Sequence, residues 1–218
     1  MRDHLREWCH RMVFRPVIRG FCGLRVTHGE RLPRTGPAIL VANHNSHFDT
    51  LALFALFSSS QAGLLRSVAA QDYFRAGSLI GWIARRLLGA ITVARAWRPA
   101  EGDPLAGCSA ALASGEILIL YPEGTRGTPG RMSELKAGVA YLARRHPTVP
   151  VIPITLDGVD RVLPKGAVVP LPLRVAAHVG RPRRWAGGDY RDFMAELRAA
   201  LVSAVEPRIN TLATEYGA

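Results

Sequence analysis

The sequence predicts an α/β fold, with a mostly parallel central sheet flanked by helices and an amphipathic helix at the N-terminus. Two observations carry this. Short apolar runs of strand length recur at AILVA (38–42), ITV (91–93), EILIL (116–120) and VPVIPI (149–154). Longer segments with apolar residues three and four apart lie between them, and Gly and Pro punctuate the joins.

Residues 3–22 come first. Leu5, Trp8, Cys9, Met12, Val13, Val17 and Phe21 recur at helical steps, while Arg2, Arg6, Arg11, Arg15 and Arg19 lie mostly on the other side. Pro16 is expected to kink or interrupt this helix. Two readings stand: a terminal helix packed on the core, or an Arg-rich helix lying in a membrane interface. A loop with Gly29, Pro33, Gly36 and Pro37 leads into Ala38–Ala42, read as a buried strand. Leu51–Phe57 and Ser78–Leu88 read as helices, and Ile91–Val93 as a strand. Pro104–Ser114 reads as a helix that Gly115 ends, and Glu116–Leu120 as a strand running into the turn YPEGTRG. Leu135–Arg145 is helical up to Pro147, and Val151–Thr155 is a strand. The two prolines of the run Val149–Ile154 (VPVIPI) cannot donate to a ladder, so an edge or a bulge is expected there. Leu173–Val179 is expected as an edge strand and Asp192–Ala213 as a final helix broken at Pro207.

Composition bounds the function. With 218 residues, 48% apolar and 21% charged, the chain can bury one substantial core, which excludes disorder. The net charge of +11 favours anionic partners, yet Lys136 and Lys165 are the only lysines among 28 basic residues. Such an Arg excess reads as a coding bias, so the charge permits anion binding without requiring it. Cys9, Cys22 and Cys108 are scattered, with no CxxC pair, which argues against a disulfide framework or a zinc site. The first twenty residues lack an unbroken apolar core, and no run of about 18 uncharged apolar residues occurs, so neither a secretory signal nor a spanning helix is expected. A nucleic-acid-binding module is disfavoured, because the charge is spread along the chain without a recognition motif.

The chemistry concentrates where strands end. His44 and Asp49 follow the first buried strand in NHNSHFD. With Asp49 in the first turn of a helix, its carboxylate can reach one imidazole nitrogen and leave the other as a base. This is the base half of a serine-hydrolase triad without the serine, so the substrate's own hydroxyl becomes the nucleophile. Asn43 and Ser46 are expected to cap the helix and hold the turn, and His47 is a bystander. Backbone N–H groups at the start of that helix are candidate oxyanion donors. At the second strand end, YPEGTR puts Glu123, Gly124 and Arg126 in a tight turn. Gly124 permits close approach to the backbone, Arg126 offers a planar fork for phosphate, and Glu123 can accept from a ligand hydroxyl or hold an arginine. GAITVAR delivers Arg95 at a third strand end.

Taken in order, NHNSHFD, GAITVAR, YPEGTR and VPVIPI resemble the four motif blocks of the glycerolipid acyltransferase family, of the 1-acyl-glycerol-3-phosphate acyltransferase type with its HX4D motif. The resemblance spans roughly residues 38 to 155 and includes a Leu-Lys-x-Gly stretch at Leu135–Gly138. It implies that His44 is the general base and Asp49 its partner. It also implies that Arg95, Glu123, Gly124, Thr125 and Arg126 bind the acceptor, with the arginines on its phosphate. The reaction implied is transfer of a fatty acyl group from acyl-CoA or acyl-carrier protein to a lysophospholipid hydroxyl, with 1-acyl-glycerol-3-phosphate the leading acceptor, in phospholipid biosynthesis. Other lysophospholipids, an acyl-amino-acid lipid or a glycolipid precursor remain open as acceptors. No metal or cofactor is implied. Residues 1–22 are then a candidate membrane-docking helix, residues 23–218 the acyltransferase domain, and the expected location is cytoplasmic, on the anionic inner face of the cell membrane. Two departures stand out: Tyr121 replaces the usual Phe, and Gly127 the common Ser.

Overall fold

Five consecutive apolar residues, Ala38–Ala42, form a strand buried on both faces, the pattern of a parallel strand covered by helices on each side. Ala38, Leu40 and Ala42 point into one apolar cluster, whereas Ile39 and Val41 point into a second on the opposite face. Burying each large side chain contributes about 1.5–3 kcal/mol, so this one strand anchors both layers. The computed structural model describes residues 2–46, 48–71, 79–94, 102–124, 132–162, 171 and 173–203.

Around that strand the chain builds one seven-stranded sheet from β1 (Arg25–Thr27), β2 (Ala38–Ala42), β3 (Leu65–Ala70), β4 (Ile91–Val93), β5 (Ile117–Leu120), β6 (Val151–Asp157) and β7 (Ala176–Val179). The order is β1-β7-β6-β2-β5-β3-β4. Strands β6, β2, β5, β3 and β4 are mutually parallel, β7 runs antiparallel to β6, and β1 pairs parallel with β7. The mostly parallel sheet expected from the sequence is therefore present. The helices are α1 (Arg2–Cys9), α2 (Phe48–Ala55), α3 (Leu79–Leu87), α4 (Ala106–Ala113), α5 (Gly138–Arg145), α6 (Val159–Val162) and α7 (Tyr190–Val202). The first cluster joins the sheet to α2 and α6, and the second joins it to α4, α5 and α7.

One expectation needs correction, and two resolve into one of their stated options. Strand β7 is not at the edge, because the unheralded β1 covers its outer side. Pro153 lies in an interior strand, between β2 and β7. Its missing donor falls at an irregularity: between the Val151–Arg183 bridge and the Ile154–Val179 pair, β6 spans two residues and its partner three. Of the two options for a strand with prolines, the protein uses the bulge. Pro16 interrupts the α-helical pattern without ending the helix. The helix passes through it in π-helical turns, His10–Phe14 and Pro16–Phe21, which absorb the missing donor.

The sidedness of the N-terminal helix also differs from a plain apolar-inward reading. Its docked face includes Arg6, 3% exposed, and His10, with Ile18 further along. Leu5, Trp8, Met12, Val13 and Phe21 are exposed, Trp8 to 58%. The cause is a set of carbonyls at helix and strand ends. Arg6 donates to the carbonyls of Leu87, at the end of α3, and of Gly63 and Leu65. Arg19 donates to Ala55, and His10 Nε2 lies 2.8 Å from the Phe54 carbonyl, both at the end of α2. The Arg6 and Arg19 guanidinium groups suit the carbonyls that end α3 and α2.

Candidate active site

The site forms where β2 and β5 end side by side. Val41 pairs with Leu120, so His44 and Glu123 each stand three residues past the paired positions, on adjacent strand ends. Crevices at the carboxyl ends of parallel strands are where α/β folds place ligands. Helix α2 begins at Phe48, earlier than the apolar run suggested, and this puts Asp49 in its first turn.

His44 Nδ1 lies 3.0 Å from Asp49 Oδ2. The same oxygen accepts the backbone N–H groups of Asn45 at 2.7 Å and Ser46 at 2.8 Å. Asp49 is 1% exposed, and three donors on one oxygen, at a helix N-terminus, hold a charge there. A carboxylate accepts only, so Nδ1 carries the ring proton and Nε2 is left with its lone pair. The His44 side chain keeps 20% exposure.

Ser46 caps the helix as expected: its Oγ accepts the Phe48 N–H at 3.2 Å. Asn43 does something else. Its amide donates to the Leu156 carbonyl at 2.9 Å and accepts the Leu156 N–H at 2.7 Å, tying the exit of β2 to β6. The N–H groups of His44, Asn45, Ser46, Phe48 and Asp49 are all engaged by Glu123, Asp49 or Ser46, so this turn does not offer them to an oxyanion.

Glu123 is buried. Its Oε1 accepts the His44 N–H at 3.1 Å and its Oε2 accepts the Ser133 N–H at 3.0 Å, so the carboxylate bridges the His44 turn to the segment preceding α5. Gly124 has φ +68°, a conformation that disfavours a side chain. A Cβ there would lie 2.7 Å from Lys136 Cε and Nζ, so the approach to its backbone is filled by that lysine. Arg95, Thr125 and Arg126, along with His47 and Gly127, lie outside the described residues.

Sequence reasoning missed Tyr121 and Thr50. The Tyr121 ring stacks on the His44 imidazole with centroids 4.1 Å apart and planes 21° from parallel. Its hydroxyl lies 2.8 Å from Thr50 Oγ1. Burial, then the negative charge of Asp49, pushes the phenol well above its ordinary range, against the opposing Thr50 bond, so it stays protonated. The visible signal was Tyr in place of Phe, but nothing in the chain named its partner. Among the described residues no group of three or more His, Cys, Asp or Glu side chains could hold a metal ion.

Comparison with known proteins points to one family. The acyltransferase family model matches residues 23–157, which contain both halves of the site. A chloroplast 1-acyl-sn-glycerol-3-phosphate acyltransferase of Arabidopsis thaliana is 32% identical over 151 residues, covering 69% of this chain and 40% of its own length. A Chlamydomonas reinhardtii 1-acyl-sn-glycerol-3-phosphate acyltransferase is 29% identical over 84% of this chain and 53% of its own. A lyso-ornithine lipid O-acyltransferase of Rhizobium meliloti is 34% identical over 62% of this chain and 43% of its own. This chain thus spans about two fifths to one half of those relatives. The crystal structure of the 1-acyl-sn-glycerophosphate acyltransferase from Thermotoga maritima superposes with a TM-score of 0.73 over 95% of this chain and 82% of that one, at 22% identity, which establishes the shared fold. With the family model matched over most of the chain and the four motif blocks in order, the chain belongs to the acyltransferase family.

Proposed function

We propose that this protein is an O-acyltransferase moving a fatty acyl group from an acyl-CoA or acyl-carrier-protein thioester to the free hydroxyl of a lysophospholipid, with 1-acyl-glycerol-3-phosphate the leading acceptor. The observation that carries the reading is the His44–Asp49 pair at 3.0 Å, on a histidine whose side chain keeps 20% exposure. Nε2 takes the hydroxyl proton as the oxygen attacks the thioester carbonyl. The C–O bond forms, the C–S bond breaks, and the imidazolium returns its proton to the departing thiolate. Asp49 stabilises the transient imidazolium and keeps the ring in the productive tautomer. A thioester is already a reactive donor, so a general base worth about 10²–10⁴-fold and the placement of two substrates suffice without a cofactor. Arg95, Thr125 and Arg126 complete the proposal as the acceptor-binding groups, the arginines on phosphate. Glu123 and Gly124 act there by shaping the turn.

The acceptor and product are lipids, and the N-terminal helix supports a membrane-bound site of action. Five of the ten exposed large apolar residues among those described fall between Leu5 and Phe21, and Trp82 of the neighbouring α3 is exposed as well. Scattered exposed apolar residues are ordinary, but this concentration, beside exposed Arg11 and Arg19, suits the interface of an anionic bilayer. No helix among the described residues is long and apolar enough to cross a membrane. The exposed apolar side chains of the N-terminal helix favour peripheral docking, which we propose takes place on the cytoplasmic face. A second acceptor class, a lyso-aminolipid, is favoured by one observation: the similarity to the Rhizobium meliloti enzyme.

One assay tests these points together. Purified protein with labelled acyl-CoA and a panel of lysolipids on anionic vesicles should yield the diacyl product of one acceptor class, with the protein floating with the vesicles at low salt. His44→Ala should float equally and form at least about 100-fold less product. Normal turnover by His44→Ala sinks the base assignment, and a protein that never floats sinks the membrane reading.

A further inference from the structure

We propose that Tyr121 is a positioning residue for the acyl-transfer step: its ring is the floor on which the His44 imidazole lies, and its bond to Thr50 fastens that floor to the helix carrying Asp49. The inference rests on the reading of His44 as general base. The bond to Asp49 fixes His44 at one atom, Nδ1, and leaves the ring plane free to tip about that point. A face contact removes this freedom. The Tyr121 ring, 4.1 Å away and 21° from parallel, sets the plane and therefore the direction of Nε2.

The floor also acts electrostatically. During the step the imidazole becomes an imidazolium, directly over the negative face of an aromatic ring. An aliphatic side chain would fill the space without that quadrupole. The latch makes the floor rigid. Thr50 is next to Asp49, and its hydroxyl meets the Tyr121 hydroxyl at 2.8 Å. Moving the ring would break this pair and leave the half-buried Tyr121 hydroxyl without that partner. Tyr121 thus links the exit of β5 to the start of α2, the two elements that must keep register for the site to work.

The test compares kcat, KM and the pH profile of kcat for the full chain with Tyr121→Phe, Tyr121→Leu, Thr50→Val, the Phe/Val double variant and His44→Ala. Tyr121→Leu should lose about tenfold in kcat with KM little changed, and its acid limb should move about half a unit to lower pH, because the imidazolium has lost its floor. Tyr121→Phe should keep the limb in place and lose about threefold, as should Thr50→Val. The double variant should lose no more than either, since both remove one bond. A wild-type rate and limb in Tyr121→Leu would overturn the floor, and additive losses in the double variant would overturn the latch. If Tyr121→Leu fails to fold, Tyr121→Met takes its place as the test of the floor, and the Phe, Val and double variants decide the latch. An active His44→Ala condemns the base assignment itself, whereas a dead His44→Ala beside a fully active Tyr121→Leu condemns only this proposal.

Discussion

Two histidines sit at the two ends of α2, and the fold makes opposite use of them. At the N-terminal end, His44 gives Nδ1 to the Asp49 carboxylate and keeps part of its ring accessible. At the C-terminal end, His10 is fully buried, with Nε2 at 2.8 Å from the Phe54 carbonyl and Nδ1 at 3.2 Å from Ser59 Oγ. A carboxylate welcomes the positive ring that a proton-transfer step creates. A carbonyl pairs well with the neutral ring's N–H, and the surrounding Arg15 and Arg19 oppose a further charge. On the proposed mechanism the same imidazole is a base in one place and a pin in the other because of its partner and its access to solvent.

The sharpest way to break this contrast is to remove the charge and keep the shape at the first end. Asp49→Asn retains an oxygen for the Asn45 and Ser46 N–H groups but offers the imidazolium no anion. We expect kcat to fall by about 10²–10⁴-fold, with Tm lowered by only a few degrees. Steady-state kinetics beside a thermal melt separate the two effects. A variant within tenfold of wild type would show that the Asp49 charge is not what sets the two histidines apart.

How much of this was legible depended on range. NHNSHFD announced its pair because His44 and Asp49 are held within one turn, where local geometry suffices. AILVA and EILIL announced central strands because they are apolar on both faces. The bonds that complete the site join residues far apart in the chain: Glu123 to His44, Tyr121 to Thr50, Asn43 to Leu156. No local pattern encodes them. The N-terminal helix shows a different limit. Periodicity revealed an apolar face, but the partners at hand decided which side docked, and the carbonyls ending α2 and α3 drew in Arg6 and His10. The three residues of β1 gave no strand signal, and so β7 read as an edge.

The contrast also has a smaller, pH-dependent signature. Burial, foremost, and then the charges of Arg15 and Arg19 hold His10 below its ordinary value of 6.5, against the raising effect of the Phe54 carbonyl. In the unfolded chain the ring takes up a proton near 6.5, whereas the folded protein resists it. Between the depressed folded value and 6.5 the unfolded state binds more protons, so stability must rise with pH through that window and fall on acidification. The loss is at most about 1.4 kcal/mol per pH unit, and it ends once the folded ring also protonates. His10→Ala removes the pin and leaves the Phe54 carbonyl and Ser59 hydroxyl without that partner. At neutral pH it should cost about 2–3 kcal/mol, or roughly 5–10 °C in Tm, with kcat at permissive temperature within about threefold of wild type. Below pH 6.5 the wild-type Tm should decline more steeply than the variant's, so the gap between them narrows, as melts across the acid range will show. Parallel curves would mean that His10 is not the group that resists protonation. A large loss of kcat in the folded variant would mean that the far end of α2 belongs to the catalytic machinery after all.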